Sequence, residues 1–381
     1  MTEQSARWRN LGIAAAAMAA ALYAAFDVYQ WISVFEYDHF HNDFTFYFAA
    51  ARVGLSDGWP SLYDLARQQA ELTAMGSGIT IAELARYISP PPLAWLVVPF
   101  TALPYPAAYW TWSLLLLLAL VVTWWCAAPD AGRARVIYLA AAVGWFPVIY
   151  GLQLGQPAMI VAASVAVSYA LLRRNHPWWA GVALGALALK PQLAFLVPLG
   201  LLAARRYRAF AGSVIALGLL ASVSAVALGP SGVSAYLDRL HFASTVPVNR
   251  ALTLAYVLGD AARPVQVFVA AWTMLVIYRL RHRGVEWIYA CALAGGMLAT
   301  PYAHLDDLAM LGLAAWLALR AGVPVLVWVY FLVGAIGIEG EPLLGPLPVL
   351  VIELVALALI SRAALTLPQI DARPLELHPK Q

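Results

Sequence analysis

Residues 114–122 read LLLLLALVV and lie within the apolar stretch AAYWTWSLLLLLALVVTWWCA at 107–127. A membrane-spanning helix needs roughly 20 consecutive apolar residues, and this stretch supplies them. The strands of a membrane β-barrel instead alternate apolar and polar side chains, so an unbroken apolar run favours a helix. Similar stretches repeat along a 381-residue chain that is 63% hydrophobic and 11% charged. The sequence therefore predicts an all-α polytopic membrane protein and excludes a soluble domain.

The apolar runs and the breakers between them predict about twelve transmembrane helices. The candidate spans are residues 11–29, 107–127, 134–150, 157–172, 177–189, 192–204, 209–228, 262–279, 285–300, 307–319, 322–338 and 346–361. The stretch from Pro90 to Leu103 is expected to form a half-helix on the outer side. Residues 1–365 are thus expected to form a single transmembrane domain, followed by a cytoplasmic tail at 366–381.

Arginine clusters in the short loops between these spans set the predicted orientation. The main clusters are Arg133 and Arg135; Arg173 and Arg174; Arg205, Arg206 and Arg208; and Arg279, Arg281 and Arg283. By the positive-inside rule these loops and the N-terminus face the cytoplasm. The loops rich in acids and amides then face outward, and an inner (plasma) membrane fits this pattern.

The largest outward loop spans residues 30–92 and follows the first apolar run. Within it, residues 43–54 read DFTFYFAAARVG, with aromatic and small apolar residues at helical spacing and Arg52 on the polar side. This pattern predicts an amphipathic helix lying in the headgroup plane, with Asp43 in its first turn. A second, more polar helix is expected from Leu62 toward Met75.

Asp43 has two explanations at this position. Asp is a favoured helix cap, so capping alone accounts for it. An ionisable group where a membrane helix emerges is costly to desolvate, however, so it also marks a candidate functional site. Lys190 and the cluster His304-Leu305-Asp306-Asp307 lie on the same predicted side. Lys190 likewise has a structural explanation, as a lysine whose ammonium extends to the membrane surface without function.

Four motifs occur in order along the chain. They are Asp43, Tyr47 and Ala50 followed by Gly58-x-x-x-x-Tyr63-Asp64; Tyr87-x-x-Pro90-Pro91-Pro92-Leu93 followed by Pro99-Phe100 and Leu103-Pro104; Gly151-x-x-x-Gly155-Gln156-Pro157 followed by Ala180-Gly181 and Leu189-Lys190-Pro191-Gln192; and Thr300-Pro301-Tyr302-x-His304-x-x-Asp307-Leu308. In these motifs and in its topology the chain resembles glycosyltransferase family 87, whose members are integral membrane enzymes. The resemblance covers most of Asp43 to Leu313.

The resemblance implies a GT-C-type fold and the transfer of a sugar, with mannose expected, from a polyprenyl-phosphate donor to a hydroxyl of a lipid or glycan at the outer membrane face. Asp43 then takes the role of general base. A lipid phosphate leaves as a stabilised anion, so a carboxylate base and cationic groups for the phosphate are sufficient. The implied partners are the donor, the acceptor and membrane lipids. No cofactor, metal or nucleic acid is expected.

Cationic side chains in the outer loops are the candidates for contacting the donor phosphate. Lys190 interrupts an apolar run and precedes a proline, which places a point charge at the outer end of two short helices. Arg250 and Arg86 are the alternatives.

Four further residues complete the predicted site. His304 is expected to orient a hydroxyl or the phosphate, as a second catalytic residue, and Asp307 to position it. Gln156 is expected to hydrogen-bond sugar hydroxyls, because amides both donate and accept. Tyr47 belongs to the substrate-binding set through its motif.

Three alternatives stay open at this point. Asp38, His39, His41 and Asp43 are metal-ligand residue types, although they lack the i,i+4 His pair of a helical site. Proline and glycine within apolar runs are typical of the broken helices of a lipid or small-molecule transporter or flippase. The third class is a membrane scaffold without catalysis. If the protein is an enzyme, we expect the outer polar groups to meet in one place. If it is a transporter, we expect a polar path at mid-bilayer depth.

Overall fold

The computed structural model describes residues 3–82, 85–129, 134–323 and 325–366, and over these ranges it contains helices and no strands. From the N-terminus to residue 183 the α-helices are α1 (Glu3–Tyr37), α2 (Phe44–Ser56), α3 (Leu65–Ala74), α4 (Pro91–Val97), α5 (Tyr105–Ala127), α6 (Ala134–Val143), α7 (Phe146–Leu154), α8 (Ala158–Arg173) and α9 (Pro177–Ala183). From residue 196 onward they are α10 (Leu196–Ala203), α11 (Tyr207–Thr245), α12 (Ala255–Leu258), α13 (Ala262–Arg279), α14 (Val285–Ala299), α15 (Ala309–Arg320), α16 (Val325–Glu339), α17 (Glu341–Leu344) and α18 (Pro346–Thr366). The predicted all-α class is confirmed. The tail predicted at 366–381 lies, apart from its first residue, outside the described residues.

Five helical segments in the described part of the chain are long and apolar enough to cross a membrane. They are Ala14–Tyr37, Tyr105–Ala127, Tyr207–Thr245, Ala255–Arg279 and Pro346–Ala363. A sixth crossing results if the bent pair α6 and α7 counts as one span. The chain is therefore a helical membrane protein by length and composition of its helices, but the count of about twelve spans is not confirmed. The difference arises because other predicted spans form shorter apolar helices, such as α8 and α14, which have 16 and 15 residues.

Breaks within the apolar stretches produce these short helices. α6 and α7 meet at an angle of 58°. The run predicted at 177–189 is α-helical only to Ala183 and continues as a 3₁₀ helix to Leu189, after which Lys190 has an extended φ of −153°. α11 is kinked at Gly229, where φ is 62°, and Pro230 follows. The average hydropathy of an apolar stretch does not reveal such breaks, because a break changes the backbone conformation and not the amino-acid composition.

Most of α2 is buried against other helices, so its apolar residues contact protein, whereas the sequence predicted an amphipathic helix lying in the headgroup plane. Nine of its 13 residues are buried, and Phe44 stacks on Trp112 of α5 with ring centroids 5.6 Å apart. Arg52 stays at the surface, where its Nε lies 2.8 Å from Glu71 Oε2 of α3. Aromatic and small side chains at helical spacing suit close packing against protein as well as contact with lipid.

The helix predicted from Leu62 toward Met75 and the short helix predicted between Pro90 and Leu103 are both present. α3 begins after Asp64, whose carboxylate accepts hydrogen bonds from the N–H groups of Ala66 at 2.8 Å and Arg67 at 3.2 Å. α4 and the 3₁₀ helix Val98–Ala102 form a short apolar segment in place of a full span.

α8 connects two chemically different ends of the helical assembly. It begins two residues after Gln156 and ends at Arg173, and 16 residues of helix extend over about 24 Å. At the Arg173 end, Nε of that residue lies 3.3 Å from Glu286 Oε1, and the Arg320 guanidinium lies 5.8 Å from the centre of the Tyr169 ring. The end of α8 that carries Arg173 and lies near Arg320 is thus remote from Gln156.

Candidate functional site

Asp43 occupies the N-cap position of α2 but does not cap the helix with its side chain. Its backbone is helical, with φ −74° and ψ −23°, and its carboxylate makes no capping hydrogen bond. Its backbone N–H donates to the carbonyl of Leu154 at 3.0 Å, and its Oδ2 accepts a hydrogen bond from Gln156 Nε2. The capping explanation of Asp43 is therefore wrong, and its half-buried carboxylate takes part in a tertiary contact.

The end of α7 brings Gln156 to Asp43. Gly155 ends this helix with φ 72°, in the left-handed region that glycine favours. A Cβ at this position would lie 2.8 Å from Phe44 Cβ, and Trp112 Nε1 donates to the Gly155 carbonyl at 2.8 Å. The Gly-Gln-Pro motif is thus a tight turn that packs α7 against the start of α2 and presents the amide to the carboxylate.

Gln156 joins three side chains through its amide. Nε2 donates to Asp43, while Oε1 accepts hydrogen bonds from Tyr47 Oη and Lys190 Nζ, each at 3.0 Å. Tyr47, Gln156 and Lys190 are buried. Residues predicted from two separate motifs, the first and the third, therefore meet in one hydrogen-bonded network.

Lys190 lies between two 3₁₀ helices, and its side chain is buried rather than extended to the membrane surface. Its Nζ donates to Asp306 Oδ2 at 2.8 Å and to Gln156 Oε1 at 3.0 Å, and it forms an ion pair with Asp307 Oδ1. The Lys190 ammonium thus makes two hydrogen bonds and is paired with two buried carboxylates. The explanation of Lys190 as a surface-seeking lysine is wrong.

His304 lies at the edge of this network, beside Asn249. Its Nε2 is 2.8 Å from Asn249 Oδ1. Asn249 Nδ2 donates to the Ala243 carbonyl at 2.8 Å, so the Asn249 oxygen is the acceptor and His304 Nε2 carries the proton. The backbone N–H of His304 donates to Asp307 Oδ2 at 3.0 Å, which connects His304 to the carboxylates around Lys190.

Burial and an excess of carboxylates determine the charges in the network. Burial, and then the Asp306 charge, raise the pKa of Asp43 to about 6. Burial is the largest influence on Asp306 and disfavours its ionised form, but Lys190, His304 and the hydrogen bonds from Lys190 and Asp307 together hold the pKa of Asp306 below its usual range. Burial and the Asp306 charge raise the pKa of Asp307. Burial lowers the pKa of His304, so its ring is neutral at pH 7. Asp43 is then ionised at pH 7 yet more basic than an ordinary aspartate, as a general base requires.

The structure places the two alternative arginines in different surroundings. Arg250 follows Asn249 in sequence, and its Nη2 is 4.0 Å from the carboxylate of the fully exposed Asp260. The Arg86 guanidinium lies 4.2 Å from the centre of the Phe242 ring. Arg250 thus adjoins the partner of His304, whereas Arg86 stacks on Phe242 near the C-terminal end of α11.

The structure does not support the metal alternative. Across the described ranges, no three His, Cys, Asp or Glu side chains come together in a way that could hold a metal ion. His41 Nδ1 is 3.9 Å from Asp38 Oδ2, with both side chains largely exposed, and His39 packs on Phe40 with ring centroids 4.4 Å apart. Asp43 meets Gln156 instead.

Asp306 and Asn249 belong to the network but were not predicted as site residues. Asp306 and Asp307 lie on the 3₁₀ helix Leu305–Leu308, and both are fully buried. Two buried carboxylates need a cation, and Lys190 is the only lysine before residue 380. The sequence shows the acidic pair and the lysine, but the burial that requires their pairing is visible only in the structure. Asparagine is common in loops, so Asn249 carried no signal in the sequence.

Comparison with known proteins gives one family match and no individual relative. A family model described as glycosyltransferase family 87 matches residues 87–336. The match covers more than half of the chain and includes Gln156, Lys190, His304 and both buried aspartates, whereas Asp43 precedes it. The chain has no significant match among curated proteins or solved structures.

Proposed function

Because this chain belongs to glycosyltransferase family 87, we propose that it moves a sugar, with mannose as the first candidate, from a polyprenyl-phosphate donor to a hydroxyl of a lipid or glycan acceptor. The family and the apolar helices make the protein a membrane glycosyltransferase. The observation that carries the finer proposal is the contact of Asp43 with Gln156 and Lys190. Asp43, the candidate base, lies before the residues that the family model matches, and this contact connects it to Gln156 and Lys190 within them.

The proposed reaction is a single displacement. The acceptor oxygen attacks the anomeric carbon while the bond between that carbon and the phosphate oxygen breaks, and Asp43 takes the hydroxyl proton. The lipid phosphate leaves as a stable anion and needs no proton. Asp43 suits the role because its pKa of about 6 keeps it ionised at pH 7 and still able to accept a proton.

We place the reaction at the outward face of the plasma membrane. The arginine-bearing end of α8 lies about 24 Å from Gln156, and the positive-inside rule assigns such ends to the cytoplasm. A GT-C-type bundle with about twelve crossings is part of the same proposal. It requires that short apolar helices such as α8 and α14 cross a locally thinned bilayer, or that flanking 3₁₀ turns complete them.

We assign the donor phosphate to Arg250 in preference to Lys190. Lys190 is buried, and its charge is already paired with Asp306 and Asp307. Arg250 keeps a partly exposed guanidinium, with 34% of the side chain accessible, and its ion pair with Asp260 is long at 4.0 Å. Guanidinium groups form strong, often bidentate hydrogen bonds to phosphate. His304, neutral and held by Asn249, would then help to orient the donor or acceptor.

Replacing Arg250 by Ala is expected to raise the KM for the donor by about 10- to 100-fold, the loss expected for charge-assisted hydrogen bonds. Arg250→Lys should recover part of this loss because it keeps the charge. Steady-state kinetics with varied donor concentration measure the effect. Arg67→Ala is the matched control, since Arg67 pairs with Asp57 at the surface of the first loop. An unchanged donor KM in Arg250→Ala would move the phosphate contact to another cation.

The donor class is tested by incubating the purified protein with labelled polyprenyl-phosphate mannose, polyprenyl-phosphate arabinose and a nucleotide sugar, each with membrane lipid extract. We expect a labelled product and free polyprenyl phosphate from a lipid-linked donor. Transfer from the nucleotide sugar alone would contradict the proposal.

A lipid or small-molecule transporter is the second candidate, and one observation favours it. Glu353 of α18 is 0% exposed, and neither of its carboxylate oxygens has a hydrogen-bond partner within the described residues. Ionisable groups inside membrane helices often mark a transport path, so the outer polar residues do not account for every buried charge. The donor experiment separates the two functions, because a transporter would move the labelled lipid across the bilayer without cleaving its bond to the sugar.

A further inference from the structure

The amide of Gln156 has one orientation that satisfies its neighbours. Its Oε1 faces the Lys190 ammonium and the Tyr47 hydroxyl, each at 3.0 Å, and its Nε2 faces the Asp43 carboxylate. A rotated amide would set its NH₂ group against the ammonium and its oxygen against the carboxylate. Lysine has no acceptor and an ionised carboxylate has no donor. Lys190 therefore dictates that Gln156 donates to Asp43.

Asp306 holds Lys190 in the place where it has this effect. Asp306 is fully buried, and its Oδ2 accepts a hydrogen bond from Lys190 Nζ at 2.8 Å. It reaches this depth because the 3₁₀ helix that carries it packs on α7 at a glycine. A Cβ added to Gly151 would lie only 3.2 Å from Asp306 Cβ. The chain of contacts from Asp306 through Lys190 and Gln156 to Asp43 is continuous.

From these contacts we propose that Asp306 is a positioning residue, which holds Lys190 against Gln156 and thereby sets the hydrogen bond to Asp43, and that its own charge acts together with that of Lys190 to set the basicity of Asp43. The inference rests on the proposed role of Asp43 as the base. Asp306 and Lys190 act on Asp43 with opposite signs, because a nearby carboxylate favours the protonated form and a nearby ammonium favours the ionised form. The other titratable groups that interact with Asp43 are His41, Tyr47, Tyr150 and Tyr302.

The pH dependence of kcat/KM separates this role from a purely structural one. In the native protein we expect kcat/KM to fall toward low pH as Asp43 becomes protonated, near pH 6. This fall is the acid limb of the pH profile. Asp306→Asn is expected to shift this acid limb to lower pH, on the order of one unit for loss of a charge this close in a partly buried site. Lys190→Gln is expected to shift it to higher pH, and Lys190→Arg should keep it near its original position. Asp57→Asn, a surface change in the first loop, is the control and should leave the limb in place.

A second measurement makes the test independent of turnover. Infrared or ¹³C NMR titration of the Asp43 carboxyl, assigned with Asp43→Asn, reports the same shifts without any substrate. Opposite shifts in Asp306→Asn and Lys190→Gln support the proposal. If no variant transfers sugar but the titrations shift as expected, the proposed function fails and the positioning role stands. An unmoved titration in Asp306→Asn, or shifts of the same sign in both variants, would overturn the positioning role even in an active enzyme. Should Lys190→Gln not fold, the sign of the Asp306→Asn shift alone decides.

Discussion

Asp43→Asn is expected to lower kcat by about 10² to 10⁴-fold, the usual contribution of a general base. Asparagine keeps the size of the side chain and an oxygen that can accept the hydrogen bond from Gln156 Nε2, but it cannot take the acceptor proton. The KM for the donor should change little, because the proposed phosphate contact is elsewhere. Folding should persist, since the Asp43 side chain does not cap α2. Initial rates at saturating donor, together with thermal unfolding, measure both effects.

Asp64→Asn is the matched control for this variant. Asp64 lies in the same loop and caps α3 through hydrogen bonds to Ala66 and Arg67, and asparagine caps a helix as well as aspartate does. The control should transfer sugar at the native rate. A folded Asp43→Asn protein with a normal kcat would remove Asp43 from the role of base.

Lys190→Ala is expected to destabilise the protein by about 3 to 5 kcal/mol, the cost of leaving a buried charge without its partner. The variant removes the ammonium from between Asp306 and Asp307, both of which are fully buried. Two carboxylates then remain in a buried site without a cation, where ionisation of either one is costly. The midpoint of thermal unfolding in detergent, with the free energy from denaturant titration, measures the loss.

Two comparison variants identify the source of this loss. Arg52→Ala breaks a pair at the surface, where the Arg52 side chain is 41% exposed, and should cost about 0 to 1 kcal/mol. Adding Asp306→Asn to Lys190→Ala should recover part of the stability, because one buried carboxylate is then neutral. A loss in Lys190→Ala no larger than that in Arg52→Ala would mean that the buried aspartates carry no charge in the folded protein.

The sequence predicted the members of the site better than it predicted their contacts. Asp43, Gln156 and Lys190 were each identified from local features: a carboxylate after an apolar run, an amide after a glycine and a lysine before a proline. Their hydrogen bonds join residues more than 30 positions apart, and no local pattern encodes which atoms meet. The contacts of Lys190 with Gln156, Asp306 and Asp307 therefore became visible only in the fold.

One local interpretation failed, and a second local pattern proved ambiguous, for identifiable physical reasons. Asp43 has the residue type of a helix cap, but its helical backbone directs the carboxylate away from the N–H groups of α2 and toward Gln156. α2 has the composition of an interfacial helix, yet aromatic and small residues also pack closely, as Phe44 does on Trp112. The length criterion finds fewer membrane crossings than the sequence predicted, because breaks such as that between α6 and α7 divide apolar runs without changing their hydropathy.

The stereochemistry of the product tests the central claim most directly, namely that Asp43 acts as a base in a single displacement at the anomeric carbon. Direct attack by the acceptor oxygen inverts the configuration of that carbon, whereas attack by an enzyme carboxylate followed by a second displacement retains it. NMR of the purified product, compared with the lipid-linked donor, measures the configuration. The mechanism predicts an anomeric configuration opposite to that of the donor. A product with the donor's configuration would contradict it and would make Asp43 a candidate nucleophile.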